Sequence, residues 1–86
     1  MRVGTQFSGT VAANGSHAWF THDWPPDWHV IWTVEPTSLD PGRPEITFRV
    51  RVERATRELV TYWIEVRNET PAPVDVEARY EVTATT

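Results

Sequence analysis

The chain contains no cysteine and no lysine among its 86 residues. Without cysteine it has no disulfide framework, no thiol nucleophile and no thiolate for zinc, so a domain of this size depends on buried apolar surface alone. Without lysine, all eight positive charges fall to arginine, which a GC-rich coding sequence explains more simply than a need for bidentate ion pairs. Positive charge is also outnumbered. The formal net charge is −4 and the sequence pI about 5.2, which argues against a surface built to neutralise phosphates, so no nucleic-acid partner is expected. Long hydrophobic runs are missing as well. The opening MRVGTQFSGT has one Arg and no apolar stretch, so neither a signal peptide nor a membrane span is expected. The chain reads as one soluble domain, residues 1–86, either cytoplasmic or secreted as part of a larger precursor.

A sustained helical period is absent too, and a period of two takes its place. In Ile46 to Glu53, the apolar Ile46, Phe48, Val50 and Val52 alternate with Thr47, Arg49, Arg51 and Glu53. Leu59 to Arg67 turns Val60, Tyr62, Ile64 and Val66 one way, and Val74 to Val82 does the same with Val74, Val76, Ala78, Tyr80 and Val82. These three segments predict a meander whose strands each have one buried and one solvated face. Thr5 to Val11 and His17 to His22 flank Asn14-Gly15, a dipeptide tolerant of positive φ, which predicts an antiparallel hairpin. Trp28 to Glu35 is a further strand with Trp28, Val30, Trp32 and Val34 on one face. The connection PTSLDPGRP, residues 36–44, is too polar and proline-rich for a strand and long enough to cross between sheets. The expected fold is all-β, a small two-sheet antiparallel β-sandwich of about six strands with one crossover. The outward residues Arg49, Arg51, Glu53, Glu65, Arg67, Asp75, Glu77, Arg79 and Glu81 predict a single, nearly neutral charged face laced by cross-strand ion pairs.

Aromatic residues are concentrated. WFTHDWPPDWHVIW, residues 19–32, holds four of the five tryptophans and two of the three histidines. His17, His22 and His29 with Asp23 and Asp27 have the donor types of a mixed nitrogen and oxygen metal site. His17 and His22 are five apart, however, and so fall on opposite faces of a strand, and no metal is expected. Ser8, Ser16 and Ser38 lack a glycine-flanked elbow, no glycine-rich phosphate loop is present, and Asp23 and Asp27 read as turn-formers beside Pro25-Pro26. Neither catalysis nor a cofactor is expected.

Binding is what remains. Trp28 and Trp32 alternate with valines and read as core. Trp19 and Phe20 point to opposite faces, so one of them looks outward. Trp24 precedes two prolines and reads as a rigid, extended loop aromatic, with Asp23, Asp27 and His29 beside it as hydroxyl partners. Trp63 points outward beside Thr61 and Glu65, where Arg49 or Arg51 can cover its ring. The candidate ligand-binding residues are therefore Trp24, Asp23, Asp27, His29, Trp63 and Trp19. The expected function is non-catalytic recognition of a carbohydrate or protein partner through an aromatic loop. The alternative is a structural protein that forms a homo-oligomer through the same aromatics.

Asn14-Gly15-Ser16 and Asn68-Glu69-Thr70 are sequons; a turn accounts for the first, and Pro71 makes the second a poor glycosylation context. TYWIEVRNET, residues 61–70, followed by PVDVEARYEV, residues 73–82, resembles the late strands of immunoglobulin-like and fibronectin-type modules, in which Tyr80-x-Val82 would sit near a tyrosine corner. The resemblance implies sandwich architecture and names no activity.

Overall fold

The computed structural model describes residues 2–39 and 43–86. Among these it has six strands and no helix: β1 (Arg2–Val11), β2 (Ser16–Trp24), β3 (Trp28–Pro36), β4 (Ile46–Arg54), β5 (Val60–Asn68) and β6 (Val74–Thr85). They make two antiparallel three-stranded sheets in the orders β1-β6-β3 and β2-β5-β4. The two central strands supply most of the core, with Val60, Tyr62, Ile64 and Val66 from β5 buried against Val74, Val76, Ala78 and Val82 from β6. Each of the valines and Ile64 contributes about 1.5–3 kcal/mol on burial. This is the sandwich that the period-two pattern implies.

The pairing differs from the expected one. β5 and β6 lie in different sheets, so the meander ends after β4 and β5, and only that pair forms a hairpin. β1 and β2 do not pair either: β1 runs against β6 and β2 against β5. The chain crosses between sheets at four of its five connections rather than at one. Residues 40–42 of the 36–44 connection lie outside the described residues.

Asn68 explains why β5 does not turn back on β6. Its side chain is fully buried, and Nδ2 donates to the carbonyl oxygens of Val11 at 3.2 Å, Ala12 at 3.2 Å and Ala72 at 2.8 Å, while Oδ1 accepts the Thr70 N–H at 2.8 Å. One carboxamide thus ties the end of β1 to the crossover after β5, replacing the ladder bonds that a hairpin would have used. The same amide nitrogen is the one a glycan would need. The turn before β2 joins this hub: Gly15 N donates to Ala12 O at 2.9 Å across Ala13-Asn14, with Asn14 at φ 53°, and Asn68 N donates to Gly15 O at 2.8 Å. The positive φ expected of Asn14-Gly15 is therefore present, but it serves a corner between sheets.

Three of the four edge strands have an irregular register: β1 between Thr5 and Phe7, β2 between Thr21 and Trp24, and β3 between His29 and Val30. β4 pairs with β5 without a break from Ile46 to Arg54. Its apolar side faces the core as expected, and Ile46 and Val50 pack against it, but sheet β1-β6-β3 does not cover the whole strand. Phe48 stays 40% exposed and Val52 62% exposed.

Candidate functional site

The irregularity in β2 moves the residue on which the sequence placed most weight. Asp23 takes φ 68°, a left-handed conformation that a short polar side chain tolerates better than most. The extra residue reverses the alternation, and Trp24 turns inward as the last residue of the strand. It is 9% exposed and meets Trp28, Trp32, Tyr62 and Tyr80 edge to face, with ring centroids 5.3 to 6.1 Å apart. Its Nε1 donates to Thr21 Oγ1 at 3.0 Å. Trp24 is the centre of an aromatic core, and the expectation of a loop platform is corrected.

The other candidates do not converge. Trp19 is half-buried, stacked on Phe7 at 4.8 Å, and occupies the space that Gly9 leaves open, where a Cβ would come within 2.8 Å of its ring. Asp23 is exposed and lies 3.2 Å from His22 Nδ1. Asp27 sits in the turn between β2 and β3, where its backbone oxygen accepts from Thr86 N at 2.9 Å. His29 is exposed on β3, in the other sheet from Trp63. Among the described residues, no group of three His, Asp or Glu side chains could hold a metal ion.

The predicted single charged face is also two faces, because β6 left the meander. On the outside of β2-β5-β4 are Arg49, Arg51 and Arg67 with Glu53 and Glu65; on the outside of β1-β6-β3 are Asp75, Glu77, Glu81 and Glu35 with Arg79. The first is close to balanced and the second is acidic. On the acidic face, hydrogen bonds from Arg79 and then Thr5 hold the Glu77 carboxyl below its usual range.

Trp63 lies on the first of these faces, and the sheet gives it neighbours. Phe20, Trp63 and Arg51 pair across β2, β5 and β4 in a single row. The Phe20 and Trp63 rings are 5.1 Å apart and inclined by 33°, the Arg51 guanidinium stands 4.9 Å above the Trp63 ring, and Trp63 Nε1 donates to Glu53 Oε1 at 3.2 Å. Phe20 is 58% exposed. In the next row Ala18, Glu65 and Arg49 align, and beyond it Ser16, Arg67 and Thr47. Arg49 Nε at 3.0 Å and Arg51 Nε at 3.4 Å both donate to the Glu65 carboxylate, which the Arg49 bond above all holds below the usual carboxylate range. These two rows line an open trough of about 610 Å³. It has small or hydroxyl side chains on β2 and β4 and guanidinium groups along its length. Sequence reasoning did not choose Phe20 as a contact. The signal was available in the adjacent pair Trp19-Phe20, of which only Trp19 has a glycine opposite to receive it.

No protein-family model, curated protein or solved structure matches the chain. None of the described residues forms a helix long and apolar enough to cross a membrane.

Proposed function

We propose that the protein is a non-catalytic carbohydrate-binding module whose ligand surface is the outer face of β2-β5-β4. The observation that carries this reading is the row Phe20, Trp63, Arg51, an exposed aromatic step set among paired arginines and glutamates on an otherwise hydrophilic sheet. The C–H face of a sugar ring packs on such a step, and guanidinium and carboxylate groups beside it take adjacent hydroxyls in pairs. The 610 Å³ trough extends the step along the sheet and gives a chain of sugar units room to continue. Its openness suits an extended glycan better than an enclosed small molecule.

A panel of soluble oligosaccharides titrated against the protein, followed by intrinsic tryptophan fluorescence, tests the reading. At least one glycan should bind, and Phe20→Ala should weaken it at least tenfold while the variant remains folded. A panel without a single binder, or a binder indifferent to Phe20→Ala and Trp63→Ala, overturns the assignment of this face.

A further inference from the structure

The unbroken edge of β4 is a different feature from the aromatic step, although Arg49 and Arg51 border both, and it goes beyond the carbohydrate reading. An edge strand exposes a row of backbone donors and acceptors, and folded proteins commonly blunt such edges with bulges, prolines or inward charges. β1, β2 and β3 each have an irregular register; β4 has none, contains no proline and turns no charge toward the core along Ile46 to Val52. Its inner side instead presents Phe48 and Val52 to solvent next to the half-buried Ile46 and Val50. A strand laid along this edge would both complete the ladder and cover that stripe.

The outer side of β4 selects the occupant. Arg49 and Arg51 share the one carboxylate of Glu65, and Glu53, the acid on the same side of the strand, accepts from Trp63 Nε1 instead, so one guanidinium at the middle of this edge has no carboxylate of its own. A second copy fits poorly. Antiparallel pairing of β4 with β4 over its full length, with Val50 on the two-fold axis, sets Arg49 opposite Arg51 twice, and like charges directly opposite destabilise a sheet. An extended segment alternating apolar and acidic residues fits on both sides, its apolar residues meeting Phe48, Val50 and Val52 and its carboxylates meeting Arg49 and Arg51. We propose that the β4 edge receives such a segment from a partner protein by strand addition.

The probe is a capped nine-residue peptide alternating valine and glutamate, with a valine-lysine peptide of the same length as its control. The valine-glutamate peptide should bind the intact protein, slow hydrogen exchange at the backbone amides of β4, and lose affinity as salt is raised. Arg49→Glu combined with Arg51→Glu should weaken it at least tenfold and bring in the valine-lysine peptide. Phe20→Ala, which lies off this edge, should leave peptide affinity unchanged. Equal binding of both peptides to the parent protein, unaltered exchange in β4, or dimerisation of the chain alone through β4 in light scattering each overturns the proposal.

Discussion

The two ends of the sandwich are held by opposite kinds of chemistry. At one end Trp24 gathers Trp28, Trp32, Tyr62 and Tyr80 in edge-to-face contacts, and cohesion comes from ring shape and apolar area. At the other end Asn68 gathers three backbone carbonyls and one N–H, and cohesion comes from satisfying polar groups that the crossovers would otherwise leave buried and unpaired. The difference follows from what each end must connect. The polar end takes the crossovers from β1 to β2, β3 to β4 and β5 to β6, so much irregular backbone meets there; the aromatic end takes one crossover and the β4-β5 hairpin. Irregular backbone calls for hydrogen-bond partners, and a simpler end leaves room for rings.

The comparison breaks first at Trp24. Trp24→Ala should cost about 3–5 kcal/mol in urea unfolding, because it removes the ring that four others abut. A cost under about 1 kcal/mol would return Trp24 to the surface and leave the aromatic end without a centre.

Asn68 offers the next largest effect and tests the other chemistry. Asn68→Ala should cost about 1–3 kcal/mol by taking away the partners of the Val11 and Ala72 carbonyls and of the Thr70 N–H, while the Ala12 carbonyl keeps the Gly15 N–H. Asn68→Asp keeps the volume but sets a carboxylate against three carbonyl oxygens, so it should be at least as destabilising. If Asp proves milder than Ala, packing rather than donation holds this end.

The smallest effect is one of pH, and it distinguishes the rings from the surface. Burial raises the Tyr62 phenol above its ordinary 10.0, so the unfolded chain releases this proton first. Its contribution is whole below pH 10 and disappears as pH climbs through the raised value. Glu65 has the opposite sign: its lowered carboxyl contributes above the ordinary 4.5 and fades as pH falls below it. Tryptophan fluorescence should therefore report loosening of the aromatic end in alkali, while acid should act on the outer face of β2-β5-β4. Alkaline loosening that persists unchanged in Tyr62→Phe would contradict the first half of this account.

Strand positions and faces were legible because burial on one side of a sheet writes itself as alternation, as in Val60, Tyr62, Ile64 and Val66. Pairing was not, since the alternation of β6 suits a neighbour in either sheet, and what diverts it is a side chain bonding to backbone 56 and 57 residues away. The aromatic face was half legible. Parity exposed Trp63 and its arginine cover, whereas the left-handed Asp23 reversed the parity of Trp24 and hid a core residue behind the look of a loop. A single-residue irregularity is enough to invert such a reading.

The placement of β5 and β6 at the centres of their sheets governs the order of events during folding. Every strand pair includes one of them, so β1 to β4 have no partner among themselves. During synthesis these four strands emerge first and wait unpaired, and β1 and β3 wait until β6 has been made. Only the β4-β5 hairpin can close locally, which makes it the expected nucleus, with the remaining pairs forming across long loops. Refolding should therefore be slow for so short a chain, and the interval before β6 docks is when the unpaired strands are most exposed to aggregation.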